Sequence, residues 1–124
     1  MIPEEYDLYR TDYPQYTVSK AVGGYDAYKG YRKDLSNIKA DKDQNGETID
    51  GSRKKKVQAY INGLDAGYYE KLILWKCEYP SDDSNNKAII QYLNSRDDLS
   101  RADVETILKK LGFKVSASGK ITWD

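Results

Sequence analysis

Lys56-Val57-Gln58-Ala59-Tyr60-Ile61-Asn62-Gly63-Leu64, leading to Lys71-Leu72-Ile73, and Lys87-Ala88-Ile89-Ile90-Gln91-Tyr92-Leu93-Asn94-Ser95, leading through Leu99 to Thr106-Ile107-Leu108, read as two copies of one unit. Each copy has apolar residues at helical spacing, a short break, and a second helical stripe. One helical hairpin cannot bury its apolar face alone, so a neighbouring hairpin must cover it. The spacing therefore predicts a mainly α fold, a helical-hairpin repeat of four to five helices. The first hairpin is placed at 52–80 and the second at 84–111.

Local signals set the expected boundaries. Ser52 is positioned to cap the first helix, and Gly63 to end it in a left-handed conformation. Val57, Tyr60, Ile61 and Leu64 form its inner stripe. Asp65 is the expected cap of the next helix, with Tyr69, Leu72, Ile73 and Trp75 apolar. Pro80 and the polar run 81–86 stop that helix. In the second hairpin Ile89, Ile90, Tyr92 and Leu93 face inward. Ser100 with Asp103 resembles a capping box, although aspartate is shorter than the preferred glutamate. Val104, Ile107, Leu108 and Leu111 give the last helix its buried side, and Gly112 ends it. The period then changes. Phe113, Val115, Ile121 and Trp123 alternate around Ala117-Ser118-Gly119, which predicts a β-hairpin at 113–123 packed on the helices.

Upstream, residues 17–40 carry a helical stripe of Val18, Ala21, Val22, Tyr25, Tyr28, Leu35 and Ile38, weakened at Gly23 and Gly24. Residues 1–16 read as a tyrosine-rich arm. The chain has twelve tyrosines against one phenylalanine, seven of the tyrosines within the first 31 residues. Tyrosine joins a large ring to a polar hydroxyl and is common at protein interfaces. Tyr6, Tyr9, Tyr13 and Tyr16 are accordingly the expected protein-contact residues. A chain of 124 residues has the size of one domain, taken as 1–124.

Charge and composition exclude several function classes. Twenty basic residues balance twenty acidic ones, so no whole-molecule attraction to nucleic acid or an anionic membrane is expected. Histidine is absent, which removes the commonest general base and metal ligand at neutral pH. No segment has the roughly 20 apolar residues needed to cross a bilayer, and no signal-like segment precedes the first charges. The single Cys77, beside Trp75, is expected to be a buried, inert thiol. No nucleophile sits in a recognisable catalytic setting. The expectation is no enzyme and no cofactor.

Two polar stretches invite chemical readings. Asp41-Lys42-Asp43-Gln44-Asn45-Gly46 opens like a calcium loop, with oxygen ligands at the first, third and fifth positions and glycine at the sixth. The twelfth position, where a bidentate glutamate belongs, is Ser52, so 41–51 is expected to be a solvated turn with an Asn-Gly corner. Arg53-Lys54-Lys55-Lys56 is the one dense basic run. It falls in the first turn of a helix, where the macrodipole prefers negative charge. Asp41, Asp43, Glu47 and Asp50 are its candidate partners, and a solvated face is the default.

The string from Ile38 to Gly46, continued through Gly51-Ser52-Arg53-Lys54-Lys55-Lys56-Val57-x-x-Tyr60-Ile61-Asn62, resembles a C-terminal module of large structural proteins of phages and prophages of gut clostridia. Minor head and tail-length proteins are among them. Tyr92-Leu93-Asn94, Leu111-Gly112-Phe113-x-Val115 and Gly119-x-Ile121-x-Trp123 are similar to the end of the same module. The resemblance covers about 38–124. It implies a non-enzymatic structural or docking module of a virion protein, made in the cytoplasm of a bacterial host and carried into the virion, with a protein partner. It implies no particular functional residue. The alternative is a small phage-encoded inhibitor that binds a host protein through its tyrosine-rich surface.

Overall fold

The computed structural model describes residues 23–124, and its first helix, α1, spans Tyr25–Asn37. It begins after Gly23-Gly24, the pair expected to weaken the helix, and ends at Asn37, short of the expected limit at residue 40. Tyr31 and Leu35 are its buried side, with Tyr28 and Ile38 partly covered. The arm at 1–16, with Tyr6, Tyr9, Tyr13 and Tyr16, lies outside the described residues, as do Val18, Ala21 and Val22.

The chain leaves α1 through an extended Ile38, which exposes the last carbonyls of the helix. Those carbonyls are taken up by the basic run. Arg53 donates from Nη2 to Leu35 O at 3.1 Å and from Nε to Ile38 O at 3.2 Å. Lys56 Nζ donates to Lys39 O at 2.9 Å and pairs with Asp41 at 2.5 Å. Cations at the negative end of one helix offset the cost of cations at the positive end of the next. Of the four loop carboxylates, Asp41 alone pairs with the run. Lys54 turns instead to Asp82 at 3.4 Å, lying over the rings of Tyr79 and Trp75.

Helix α2 spans Ser52–Asn62 and α3 Tyr68–Glu78; α4 spans Asp83–Asn94 and α5 Arg101–Lys110. The two hairpins thus form as expected, and α3 and α4 make the most extensive helix pair. Buried Val57 and Ile61 of α2 correspond to Ile89 and Leu93 of α4, and Ile73-Leu74 of α3 to Ile107-Leu108 of α5. The second arms therefore align one residue away from the pairing of Lys71-Leu72-Ile73 with Thr106-Ile107-Leu108, because Leu72 is only partly buried.

Two expected caps are replaced, and a third keeps its place in another conformation. Gly51, at φ 77°, is the N-cap of α2, a left-handed position that disfavours a side chain. Ser52 instead donates to Ile49 O and accepts from Asp41 N, both across the loop. Gly63 closes α2 with right-handed geometry, φ −84°, so no left-handed stop is needed. Gly67 rather than Asp65 precedes α3, with the Glu70 side chain folded over it. The capping box at α5 is present: Ser100 Oγ accepts from Asp103 N at 3.1 Å, and Asp103 returns the bond to Ser100 N. Asp82 caps α4 by accepting from Asn85 N.

The polar run 81–86 is not simply a solvated break. Asn85 and Asn86 are buried in the first turn of α4. Asn85 Nδ2 donates to Leu72 O at 3.0 Å, and Asn86 Nδ2 to Pro80 O at 2.9 Å. Pro80 O also accepts from Lys76 Nζ at 2.6 Å. Lys76 is 6% exposed and lies 4.2 Å over the Phe113 ring. Desolvation lowers its pKa from the ordinary lysine value.

The C-terminal hairpin pairs β1 (Lys114–Val115) antiparallel with β2 (Ile121–Thr122), Val115 opposite Ile121. Gly119 N donates back to Ser116 O and Ser116 N to Lys120 O, a turn closed by the left-handed Gly119. Phe113 is buried, and Trp123 meets it edge-on at 5.9 Å. Trp123 Nε1 donates to Asp83 Oδ1 on α4 at 2.7 Å. The hairpin is thus tied to the helical body through both aromatic residues. Trp123→Ala is expected to lower stability by about 2 kcal/mol, less than a fully buried ring would cost because Trp123 is half-buried. Denaturant melting measures it, and an unchanged midpoint would refute the anchoring role.

Candidate functional site

Helices α2 and α4 flank α3, and a groove of about 310 Å³ opens between them. Ile61, Leu72, Trp75 and Ala88 supply its apolar lining. Gln58 and Asn62 stand on the α2 side, Ser84 and Asn85 on the α4 side. Lys71 lines the groove and donates from Nζ to Asn62 O at 2.8 Å. A volume of this size is at the low end of small binding pockets, enough for an anchoring side chain rather than a large cofactor.

Tyr68 stands at one end of the groove and is 64% exposed, unusually open for a large ring. It leans on Tyr92 at 6.0 Å, and Tyr92 stacks on Tyr69 at 4.9 Å with the rings nearly parallel. Arg96 lies over the outer Tyr92 ring at 5.9 Å and pairs with Asp98. The result is a tyrosine-arginine ladder continuous with the groove. Tyrosine, tryptophan and arginine dominate the energetics of protein interfaces.

The sequence reading placed the contact tyrosines at 6–16 and missed this group. The signal was present in Tyr68-Tyr69. Adjacent residues on a helix point about 100° apart, so one ring of the pair is turned away from whatever covers the other.

At the other end of the groove Asp82 lies beside Trp75. The Asn85 backbone N–H, helped by the Trp75 indole and Lys54, holds its carboxyl below the usual aspartate value. Ser84 also lines the groove, but no hydrogen bond joins it to Asp82, whose oxygens serve Asn85 and Lys54.

Cys77 corrects the sequence reading, because it is exposed rather than buried. Desolvation by the chain packed around the sulfur, then the Glu78 carboxylate, nevertheless push the thiol up to about 11.

The 41–51 loop closes on itself through a Lys42–Thr48 bridge. Asp43 Oδ1 accepts from the amides of Asn45 and Glu47, and Asp41 is held by Lys56. Among the described residues no group of three or more His, Cys, Asp or Glu side chains is placed to hold a metal. Among the same residues no helix is long and apolar enough to cross a membrane. No protein-family model matches the chain, and neither curated proteins nor solved structures give a match.

Two measurements follow from this geometry. Calcium titration calorimetry is expected to show no binding tighter than roughly 10 μM, the weak end of sensor loops. The thiolate is the reactive form, and a raised pKa leaves little of it near neutrality. Alkylation of Cys77 by iodoacetamide should therefore be slow at neutral pH in the folded protein and climb as pH rises toward about 11. A rate that levels off near the ordinary thiol pKa would contradict the shift.

Proposed function

We propose that this chain is a non-enzymatic protein-docking module of a phage or prophage structural protein. The observation that carries the docking reading is Tyr68, held open between an apolar groove and a stacked tyrosine ladder. A large exposed ring supported by further rings is a pre-ordered contact, because little side-chain entropy remains to be lost on binding. The phage assignment is supported by the resemblance of 38–124 to modules of virion proteins. The Asp41–Gly46 string, Arg53 and Lys56 serve the α1–α2 junction as scaffold, and the contact belongs to the groove and the α3–α4 side.

The test is mass spectrometry of density-purified particles induced from a strain that carries the gene. Peptides of this chain are expected in intact particles. Their confinement to the host-protein fraction would overturn the virion reading and favour an inhibitor of a host protein.

A further inference from the structure

We infer that the α2/α3/α4 groove takes an acidic segment of a partner protein, with one apolar side chain seated over Leu72 and Ala88 and carboxylates facing the surrounding lysines. The inference rests on the docking reading and specifies the chemistry of the occupant.

Charge complementarity carries it. Helix α2, one side of the groove, holds Arg53, Lys54, Lys55 and Lys56 and no acidic residue. Asp82 and Asp41 pair with Lys54 and Lys56. Arg53 is held by carbonyls, which orient it without neutralising it. Lys55 has no carboxylate partner among the described residues and stands one turn from Gln58. Lys71, in the groove itself, donates to the neutral Asn62 carbonyl and has no carboxylate partner among the described residues. Lys87 on α4, one turn from Ser84, likewise has no carboxylate partner there. The lining thus holds Lys71 and an Asp82 already paired with Lys54, and Lys55 and Lys87 lie one turn from it, a local cationic excess in a chain whose formal net charge is zero. Such a local excess steers an acidic ligand while giving the whole molecule no general attraction to polyanions.

The lining decides between a protein and a nucleic acid. Ile61, Leu72 and Ala88 are aliphatic and Trp75 is 6% exposed, so Tyr68 at the end of the groove is the one lining ring open to a base, and no run of stacking faces follows the groove. Among the described residues the Gln58 and Ser84 side chains make no hydrogen bond, leaving an amide on one side and a hydroxyl on the other for a peptide backbone. An apolar floor with amide-bearing walls fits a peptide better than a phosphodiester chain.

The experiment is selection from a displayed library of random peptides of about twelve residues on the full chain, long enough to cross a groove bounded by helices. Enriched sequences are expected to carry an aromatic or large aliphatic residue flanked by Asp or Glu. A synthesised winner should bind roughly tenfold more weakly when salt is raised from about 50 mM to about 500 mM. Gln58→Glu should weaken binding and Gln58→Lys strengthen it, each several-fold. Both variants alter an exposed side chain, so helicity and melting should stay as in the parent protein. Ala88→Arg, which fills the groove, should abolish binding. Neutral or basic winners, indifference to the sign of the charge at Gln58, or displacement of the peptide by a single-stranded oligonucleotide would each overturn the inference. Peptides that bind away from Gln58 would overturn it while leaving the docking reading intact. Particle mass spectrometry tests the virion assignment independently.

Discussion

Four consecutive residues of α3, Ile73-Leu74-Trp75-Lys76, are buried. Successive side chains on a helix point about 100° apart, so four in a row sweep about 300° of its circumference. A helix buried that far round is not a surface element with one apolar stripe. It must be enclosed, and the rest of the described structure follows from enclosing it. Helices α2 and α4 flank it, and the C-terminal segment reaches its last turn through Phe113. The groove is the part of its circumference left open between those two flanking helices.

Enclosing α3 also buries polarity at its C-terminal end. Lys76 is too long and too charged for an apolar pocket, and Asn85 and Asn86 are equally out of place there. They are accommodated because backbone carbonyls reach them. Pro80 O receives both Lys76 and Asn86, and Leu72 O receives Asn85. The α3–α4 turn is therefore fixed by side chains that cross it. Pro80 O holds two of these donors at once, so it keeps a partner if either Lys76 or Asn86 is removed. This rigid corner holds Trp75 and Asp82 at one end of the groove.

The basic run shows why local rules are insufficient for assigning charged residues. Judged within α2 alone, four cations in the first turn are unfavourable and look like a nucleic-acid patch. In three dimensions Arg53 and Lys56 close the C-terminal end of α1, and Lys54 spans to Asp82 over Trp75 and Tyr79. One set of residues thus joins α1 to the hairpins and leaves a positive border on the groove. Structural and binding roles fall to different members of the same run.

The helical hairpins, the capping box at Ser100, the break at Gly112 and the terminal β-hairpin were legible in the order of residues alone. These depend on periodicity and on contacts only a few residues apart, which a linear reading captures. The inward faces of α2 and α5 were legible for the same reason, since Val57, Ile61, Val104, Ile107 and Leu108 keep one period. Only the tertiary structure decided that Lys76, Asn85 and Asn86 are interior, that Cys77 is exposed, and that Gly51 and Gly67 begin helices. It alone brought Tyr68, Tyr92 and Arg96 into one ladder and set Gln58 across a groove from Ser84. Those outcomes turn on partners far apart in the chain, carbonyls at Leu72 and Pro80 among them. No residue type announces which distant carbonyl or ring will meet it, because that meeting is fixed by how the helices enclose α3.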